Sequence, residues 1–416
     1  MTSEKRVVVI GAGLAGARLA QRLGELGASG GPAARVTLLG EERHPPYNRV
    51  LLAEVLAGRL APEVVALPAP AGRQLRVKAE RIDRSARTVH CADGTRVDYD
   101  HLVLATGSNP VLPPLRGLLT PGATELPAGV HAFRTMDDCL ALSAAVRPGL
   151  RAVVVGGGLL GVSAARALAR RGAHVVLVQQ SERLMERQLD AQSSQLVHRN
   201  LTGAGIEVHT ECRVRGIGVR DGQVVRTELA DGYHLGTDLL VLACGVRPRT
   251  GLAAEAGLGV REGVLVDSAL RTGDPHIHAI GDCAEHEGRV YGLAAPALEQ
   301  AEALARTLAG SGPPVRYRGT RALTRLTLAP GGQDPLDLAV FGQTEPLPGD
   351  DVVQIGDATR GTFRKVVVRG DRLVGGVLLG ELSAVGALAR VWEGEEPLPA
   401  ESEAPLLHLL TPDGGS

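Results

Sequence analysis

At 416 residues, 44% of them hydrophobic, the chain is long enough for two or three domains with buried cores and too long for a lone small module. Lysine plus arginine number 45 against 46 acidic residues, a formal charge of -1 with no basic run, which argues against nucleic acid or an anionic membrane as partner. The first residues lead straight into the apolar run Val7 to Ile10, too short for a signal segment, and no stretch of about eighteen apolar residues follows, so a cytoplasmic protein is expected.

In chain order, Val7 to Ile10 reads as a buried strand, Leu14 to Leu26 as an amphipathic helix ending at Gly27, Ala28 to Ala34 as a loop, and Arg35 to Leu39 as a second strand. This βαβ unit carries Gly11, Gly13 and Gly16 in GxGxxG spacing: a tight turn, a close backbone approach to a pyrophosphate, and a close helix–strand contact. The helix N-terminus then faces phosphate charge. Glu41 stands where a carboxylate would accept ribose hydroxyl protons, with Glu42 the weaker candidate.

The pattern recurs at Arg151 to Val155, Leu159 to Arg171 and His174 to Val178, with Gly156, Gly158 and Gly161 in the same three roles, so a second nucleotide site is expected. No acid follows Val178. Gln179 and Gln180 stand there, and Arg183 and Arg187 beyond could meet a 2′-phosphate, which leaves NADH against NADPH open. Each unit is followed by an apolar strand and a small-residue turn, HLVLATGSNP (His101 to Pro110) and LLVLACGVRP (Leu239 to Pro248), a duplication on the domain scale. In HIHAIGDCAE, Asp282 follows a short strand, where it could bond a polyol chain.

From about Tyr317, strands at Leu323 to Leu328, Leu336 to Phe341, Thr362 to Val368 and Leu373 to Leu379 and a helix at Ala384 to Trp392 predict an α+β domain, and the final segment reads as a flexible tail. The five cysteines are dispersed, with no CxxC or CxxxxC, which speaks against a redox disulfide, an iron–sulfur cluster or a zinc site. Cys244 and Cys283 each follow an apolar strand and read as small buried residues; His276 and His278 share a strand face near Cys283 but read as the lead-in to Gly281-Asp282, not as metal ligands. No nucleophile elbow and no GK[ST] follows either glycine loop, so hydrolase chemistry is not expected.

The first GxGxxG, Ala105-Thr106-Gly107, the second GxGxxG and Gly281-Asp282, in that order, resemble the glutathione-reductase-like flavoproteins, the pyridine nucleotide-disulfide oxidoreductase family. Within it, PPYNRVLLAEVLAG (Pro45 to Gly58), FRTMDD (Phe133 to Asp138), RLMERQLD (Arg183 to Asp190) and GLAAPALEQA (Gly292 to Ala301) are similar to the flavin module of assimilatory NAD(P)H-nitrite reductase large subunits, over roughly Arg6 to Trp392. The resemblance implies an α/β fold with two Rossmann-like dinucleotide-binding domains plus a small C-terminal α+β domain. It divides the chain into a discontinuous FAD-binding domain (1–112 and 246–315), an NAD(P)-binding domain (113–245), a C-terminal domain (316–395) and a tail (396–416). It places FAD on Gly11, Gly13, Leu14, Ala15, Gly16, Glu41, Arg49, Ala105, Thr106, Gly107, Gly281 and Asp282, and NADH or NADPH on Gly156, Gly158, Leu159, Leu160, Gly161, Gln179 and Gly245.

The implied activity is an FAD-dependent NAD(P)H oxidoreductase of diaphorase type. It would pass electrons to a one-electron carrier: a ferredoxin, a Rieske-type small subunit or a nitrite or nitrate reductase partner. A homodimer is possible. Nitrite reductases continue into iron–sulfur and sirohaem regions, whereas this sequence ends at Ser416 without clustered cysteines, so nitrite reduction is expected to need a partner. Two alternatives accompany this reading. One is a ferredoxin or rubredoxin reductase of an oxygenase or P450 system, although those reductases usually follow the arginine with Ser-Lys and this chain has Arg49-Val50-Leu51. The other is a non-catalytic FAD-binding subunit with a decayed nicotinamide site, since Ser163 replaces a glutamate usual in the class and Gln179 an acid.

Overall fold

The computed structural model describes residues 4–29, 34–119, 125–310, 315–328, 336–357, 359, 361–394 and 398. The chain divides into two compact units, one formed by 1–52, 60–109 and 246–320, the other by 53–59, 110–245 and 321–416.

The first unit is built on five parallel strands in the order Ile277–Ala279, His101–Leu104, Lys5–Ile10, Ala34–Leu39, Arg73–Leu75. Numbered along the chain and read from the Arg73–Leu75 edge this is 3-2-1-4-5, the order of dinucleotide-binding sheets. Alternation along Lys5–Ile10 sends Val7 and Val9 to one face, where they pack on Leu19, Leu23 and Leu304, and Val8 and Ile10 to the other, with Leu102, Leu104 and Tyr99. Burying each such side chain contributes ~1.5–3 kcal/mol, so a strand apolar on both faces has no stable place at a surface. The helices Leu14–Ala28 and Ala294–Leu308 cover the first face. A three-stranded antiparallel sheet, Ala79–Asp83, Thr88–Cys91 and Arg96–Asp98, supplies Ile82 and Val89 to the second.

In the second unit, five parallel strands run in the order Glu207–His209, His174–Val178, Arg151–Val155, Leu239–Leu242, Val130–Ala132. The same unit holds an antiparallel sheet ordered Leu323–Leu328, Leu336–Gly342, Arg372–Gly380, Thr362–Arg369, Asp351–Asp357, packed on the helix Val385–Gly394 through Phe341, Val366, Leu378, Leu388 and Trp392. The fold is thus α/β with two Rossmann-like sheets and a small α+β portion.

Two differences from the expected elements have physical causes. The first helix runs on through Gly27 to Ala28, its end closed by Ser29, whose Oγ donates to the Glu25 carbonyl at 2.8 Å. The strand Asp351–Asp357 was not expected: it is an edge strand paired only with Thr362–Arg369, so it buries little and lacks a clean apolar alternation. The tail expected over 396–416 lies, apart from Leu398, outside the described residues, as does 30–33 of the expected loop.

Candidate functional site

In the first unit the candidate residues gather at the carboxyl ends of the parallel strands. Gly11 donates its N–H to Leu39 O (2.8 Å) and Ala105 donates to Ile10 O (2.8 Å), so the glycine loop and the Ala105-Thr106-Gly107 turn leave the sheet side by side. Gly11 has φ +116°, and a Cβ there would overlap the Ala105 carbonyl. A Cβ on Gly16 would overlap the Gly11 carbonyl, which fixes the helix against its strand. Gly13 differs: its backbone is extended and a Cβ would meet nothing within 4 Å. The helix begins at Leu14 and Ala15 with no side-chain cap and no acid in its first turn. Its N–H groups, which an ordinary helix satisfies with a capping side chain, therefore face open space at Gly13.

Distant segments complete this corner. Gly281 donates to Gln300 Oε1 at 2.7 Å, and a Cβ on Gly281 would stand 3.1 Å from that of Ala15, so the Gly281-Asp282 turn adjoins the start of the first helix. Ser108 Oγ donates to Asp282 Oδ2 at 3.0 Å. Thr106 Oγ1 donates to the Arg249 carbonyl at 2.8 Å, and Arg249 N donates to Gly107 O at 2.9 Å. The Arg249 guanidinium meets the carboxylate of Glu41 and the side chain of Asn109. Arg49 pairs with Glu42, which also accepts from Tyr47 Oη at 2.6 Å, and lies 5.0 Å from the Tyr47 ring centre. Arg249 and Gln300 were not anticipated. The only trace of Arg249 in the sequence is its place one residue beyond the second small-residue turn, and nothing local marks Gln300.

The second unit repeats the device. Gly156 (φ +107°) donates to Val178 O at 2.8 Å, and a Cβ on it would overlap the Ala243 carbonyl; one on Gly161 would overlap the Gly156 carbonyl; Gly158 opens onto empty space. The helix Leu159–Arg170 again starts, at Leu159 and Leu160, without a side-chain cap. Gly245, at φ +97°, likewise has no atom where a Cβ would go. Gln179 is buried and turned toward its own loop: Oε1 accepts from Gly157 N at 2.8 Å and Nε2 donates to Arg183 O at 3.3 Å. Ser163 is also buried, its Oγ donating to Leu159 O at 2.8 Å. Arg183 pairs with Glu345 at 2.7 Å, and Arg187 is exposed.

None of the five cysteines forms a disulfide, and burial pushes the Cys139 and Cys244 thiols up to about 11 and raises that of Cys283. Such thiols are protonated at neutral pH and poor nucleophiles. Among the described residues no group of three His, Cys, Asp or Glu side chains could hold a metal, and no helix is long and apolar enough to cross a membrane.

Each unit therefore offers what a dinucleotide pyrophosphate requires: unspent helix N–H groups, a middle glycine open to close approach, and flanking glycines that admit no side chain. Two such loops on two Rossmann-like sheets define a flavin- and pyridine-nucleotide-dependent oxidoreductase. The family model described as pyridine nucleotide-disulphide oxidoreductase matches residues 5–301, and the chain belongs to that family. It is 34% identical to a nitrite reductase [NAD(P)H] of Bacillus subtilis over 99% of this chain and 50% of that protein, so it spans about half the length of that relative. It is 32% identical to a rubredoxin-NAD(+) reductase of Alcanivorax borkumensis over 75% of this chain and 80% of that one. Its fold superposes on a crystal structure of the ferredoxin reductase of the CYP199A2 system from Rhodopseudomonas palustris, with TM-score 0.83 and 28% identity over 97% and 98% of the two chains.

Proposed function

We propose that the chain takes hydride from NADH or NADPH, held on the loop Gly156 to Gly161, onto FAD held on the loop Gly11 to Gly16, and passes electrons to a separate one-electron carrier protein in nitrite or nitrate assimilation. The observation that carries this reading is the presence, in one chain, of two uncapped helix N-termini each opened by a glycine with free space before it, Gly13 and Gly158. On this reading 1–112 with 246–315 is the FAD-binding domain, 113–245 the NAD(P)-binding domain and 316–395 the C-terminal domain, in a cytoplasmic protein.

Bound FAD would supply the conversion between two-electron and one-electron transfer. The protein's part is binding and orientation. The N–H groups at Leu14 and Ala15 meet pyrophosphate oxygens. Glu41 accepts from ribose hydroxyls, exchanging an exposed Arg249 pair worth only about 0–1 kcal/mol. Asp282, oriented by Ser108, accepts from the polyol chain. Gln179 braces the second loop through Gly157 and presents no carboxylate to a 2′-hydroxyl, which supports use of either nicotinamide cofactor. Because the cysteines are dispersed and the buried thiols stay protonated, no dithiol relays the electrons.

A second reading, a reductase for a ferredoxin or rubredoxin of an oxygenase chain, is favoured by the 32% identity with the Alcanivorax protein over four-fifths of its length. Anaerobic titration of the purified protein with NADH and then NADPH, followed in the flavin absorbance band, tests the common part. Bleaching by either establishes the reductase and its donor, and a yellow protein that neither bleaches refutes it. Carrier-dependent cytochrome c reduction, with candidate ferredoxins, rubredoxins and Rieske-type subunits added in turn, separates the two readings.

A further inference from the structure

At the opposite edge of the first unit's sheet, where strands begin instead of ending, lies a cleft of about 620 Å³ that the cofactor reading does not use. Its size falls within the range of small-molecule sites, roughly 300–1,000 Å³. Lys5 opens the strand Lys5–Ile10 and His101 opens His101–Leu104, while His278 is the middle residue of Ile277–Ala279. At about 3.3 Å per strand residue, Lys5 and Gly11 stand roughly 20 Å apart, so the cleft is separate from the glycine loop.

His278 lines the cleft, is only 4% exposed, and has neither ring nitrogen hydrogen-bonded. The His101 ring lies 5.7 Å away, and its Nδ1 is also without a partner. A buried donor or acceptor left unmet is costly, and native interiors avoid this, so a histidine with both nitrogens unmet beside a cavity calls for a ligand to meet them. Burial lowers the His278 pKa to about 4, so near neutral pH its imidazole is uncharged, with one N–H to donate and one lone pair to accept.

The charges around it are mainly positive. Lys5, Arg271 and Arg316 line the cleft with a single carboxylate, Asp267. Asp267 is already engaged by the Arg271 guanidinium at 3.0 Å and by the N–H groups of Ala269 and Arg271, both at 2.9 Å. Lys5 Nζ reaches the Leu308 carbonyl at 3.4 Å, at the edge of hydrogen-bonding distance, and Arg316 makes no ion pair among the described residues. The cleft thus holds cationic donors in excess of the acceptors that occupy them.

We propose that this cleft is a second ligand site, binding a small molecule whose phosphate or carboxylate oxygens meet Arg316 and Lys5 and whose polar group bonds His278. The two oxyanions share the chemistry that Arg and Lys recognise. Calorimetric titration of the FAD-loaded protein with inorganic phosphate, AMP and citrate, each separately, tests the site. At least one is expected to bind with Kd below about 1 mM, phosphate and AMP marking a phosphate site and citrate a carboxylate site. Both Arg316→Ala and Lys5→Met remove an exposed cation, leave the core untouched, and are expected to weaken that binding about tenfold or more while the extent of flavin bleaching by nicotinamide cofactor stays as in the parent. His278→Gln, which keeps one donor and one acceptor, should retain more of the binding than His278→Leu. No heat from any of the three ligands up to about 10 mM, or binding equally strong in Arg316→Ala and Lys5→Met, overturns the proposal. The second outcome would place the ligand elsewhere, a glycine loop included.

Discussion

Gly11 and Gly13 lie two residues apart in one loop, and the structure gives their replacement by alanine opposite consequences. At Gly11 a Cβ adds left-handed backbone strain, about 1–3 kcal/mol, to overlap with the Ala105 carbonyl, whose relief costs a further 1–3 kcal/mol or so. The sum, about 2–6 kcal/mol, is a large share of a typical stability of 5–15 kcal/mol or so, and Gly11→Ala should lower the denaturation midpoint even without cofactor. At Gly13 the backbone is already extended and the space is empty, so Gly13→Ala should cost the apoprotein no more than about 1 kcal/mol, the difference between glycine and alanine at a helix N-cap. The added methyl instead occupies the volume through which a pyrophosphate approaches the helix N–H groups. Overpacking by one methyl there costs about 1–3 kcal/mol, a rise of about five- to 150-fold in the FAD Kd. Chemical denaturation of both apo variants, with flavin fluorescence titration of Gly13→Ala, measures the two quantities. Parental FAD affinity in Gly13→Ala, or equal destabilisation by the two substitutions, would refute the assignment of the loop to phosphate.

Gln179→Ala leaves the Gly157 N–H without its partner and should destabilise by about 1–3 kcal/mol while raising the KM for the nicotinamide cofactor; an unchanged KM would show that the bracing does not reach the site. Asp190 and Lys365 form a buried pair, and Asp190→Asn, by stranding the ammonium, should cost about 3–5 kcal/mol in urea denaturation. Burial works against ionisation of Asp190, but hydrogen bonds from Lys365 and Ser193 outweigh it and hold its pKa below the usual carboxylate range. The pair's stabilisation is therefore complete above the unfolded pKa of about 3.9 and is lost as pH falls through the lower folded value, so the stability gap between the parent and Asp190→Asn should narrow in acid; a gap that stays constant as pH falls would contradict this. Cys244→Ala and Cys283→Ala should leave turnover within about twofold, because protonated, buried thiols make poor redox groups. A loss of tenfold or more in either would bring a thiol into the electron path.

Local pattern in this chain encodes some elements and not others. Val7 to Ile10 and Arg151 to Val155 were recognisable as strands, and the helices after them as helices, because an apolar run, a glycine turn and an amphipathic run are encoded in adjacent residues. The strand Asp351–Asp357 was not, because an edge strand with solvent on much of its surface needs no hydrophobic pattern. Gln179 shows a different gap: the sequence marks it as lacking the expected charge, and only the fold shows its amide spent on Gly157.

The sequence by itself determined the two dinucleotide loops, their order, and the dispersed cysteines that leave the chain without a dithiol motif, since each is a matter of residue type at short spacing. Tertiary structure alone decided that Arg249 closes on Glu41 across 208 residues, that Gly281 abuts the start of the first helix, and that His101 and His278 face a common cleft at the far edge of the sheet. Strand order in a parallel sheet is set by crossover packing between segments remote along the chain. The neighbours it creates leave no signature in the local pattern of either segment.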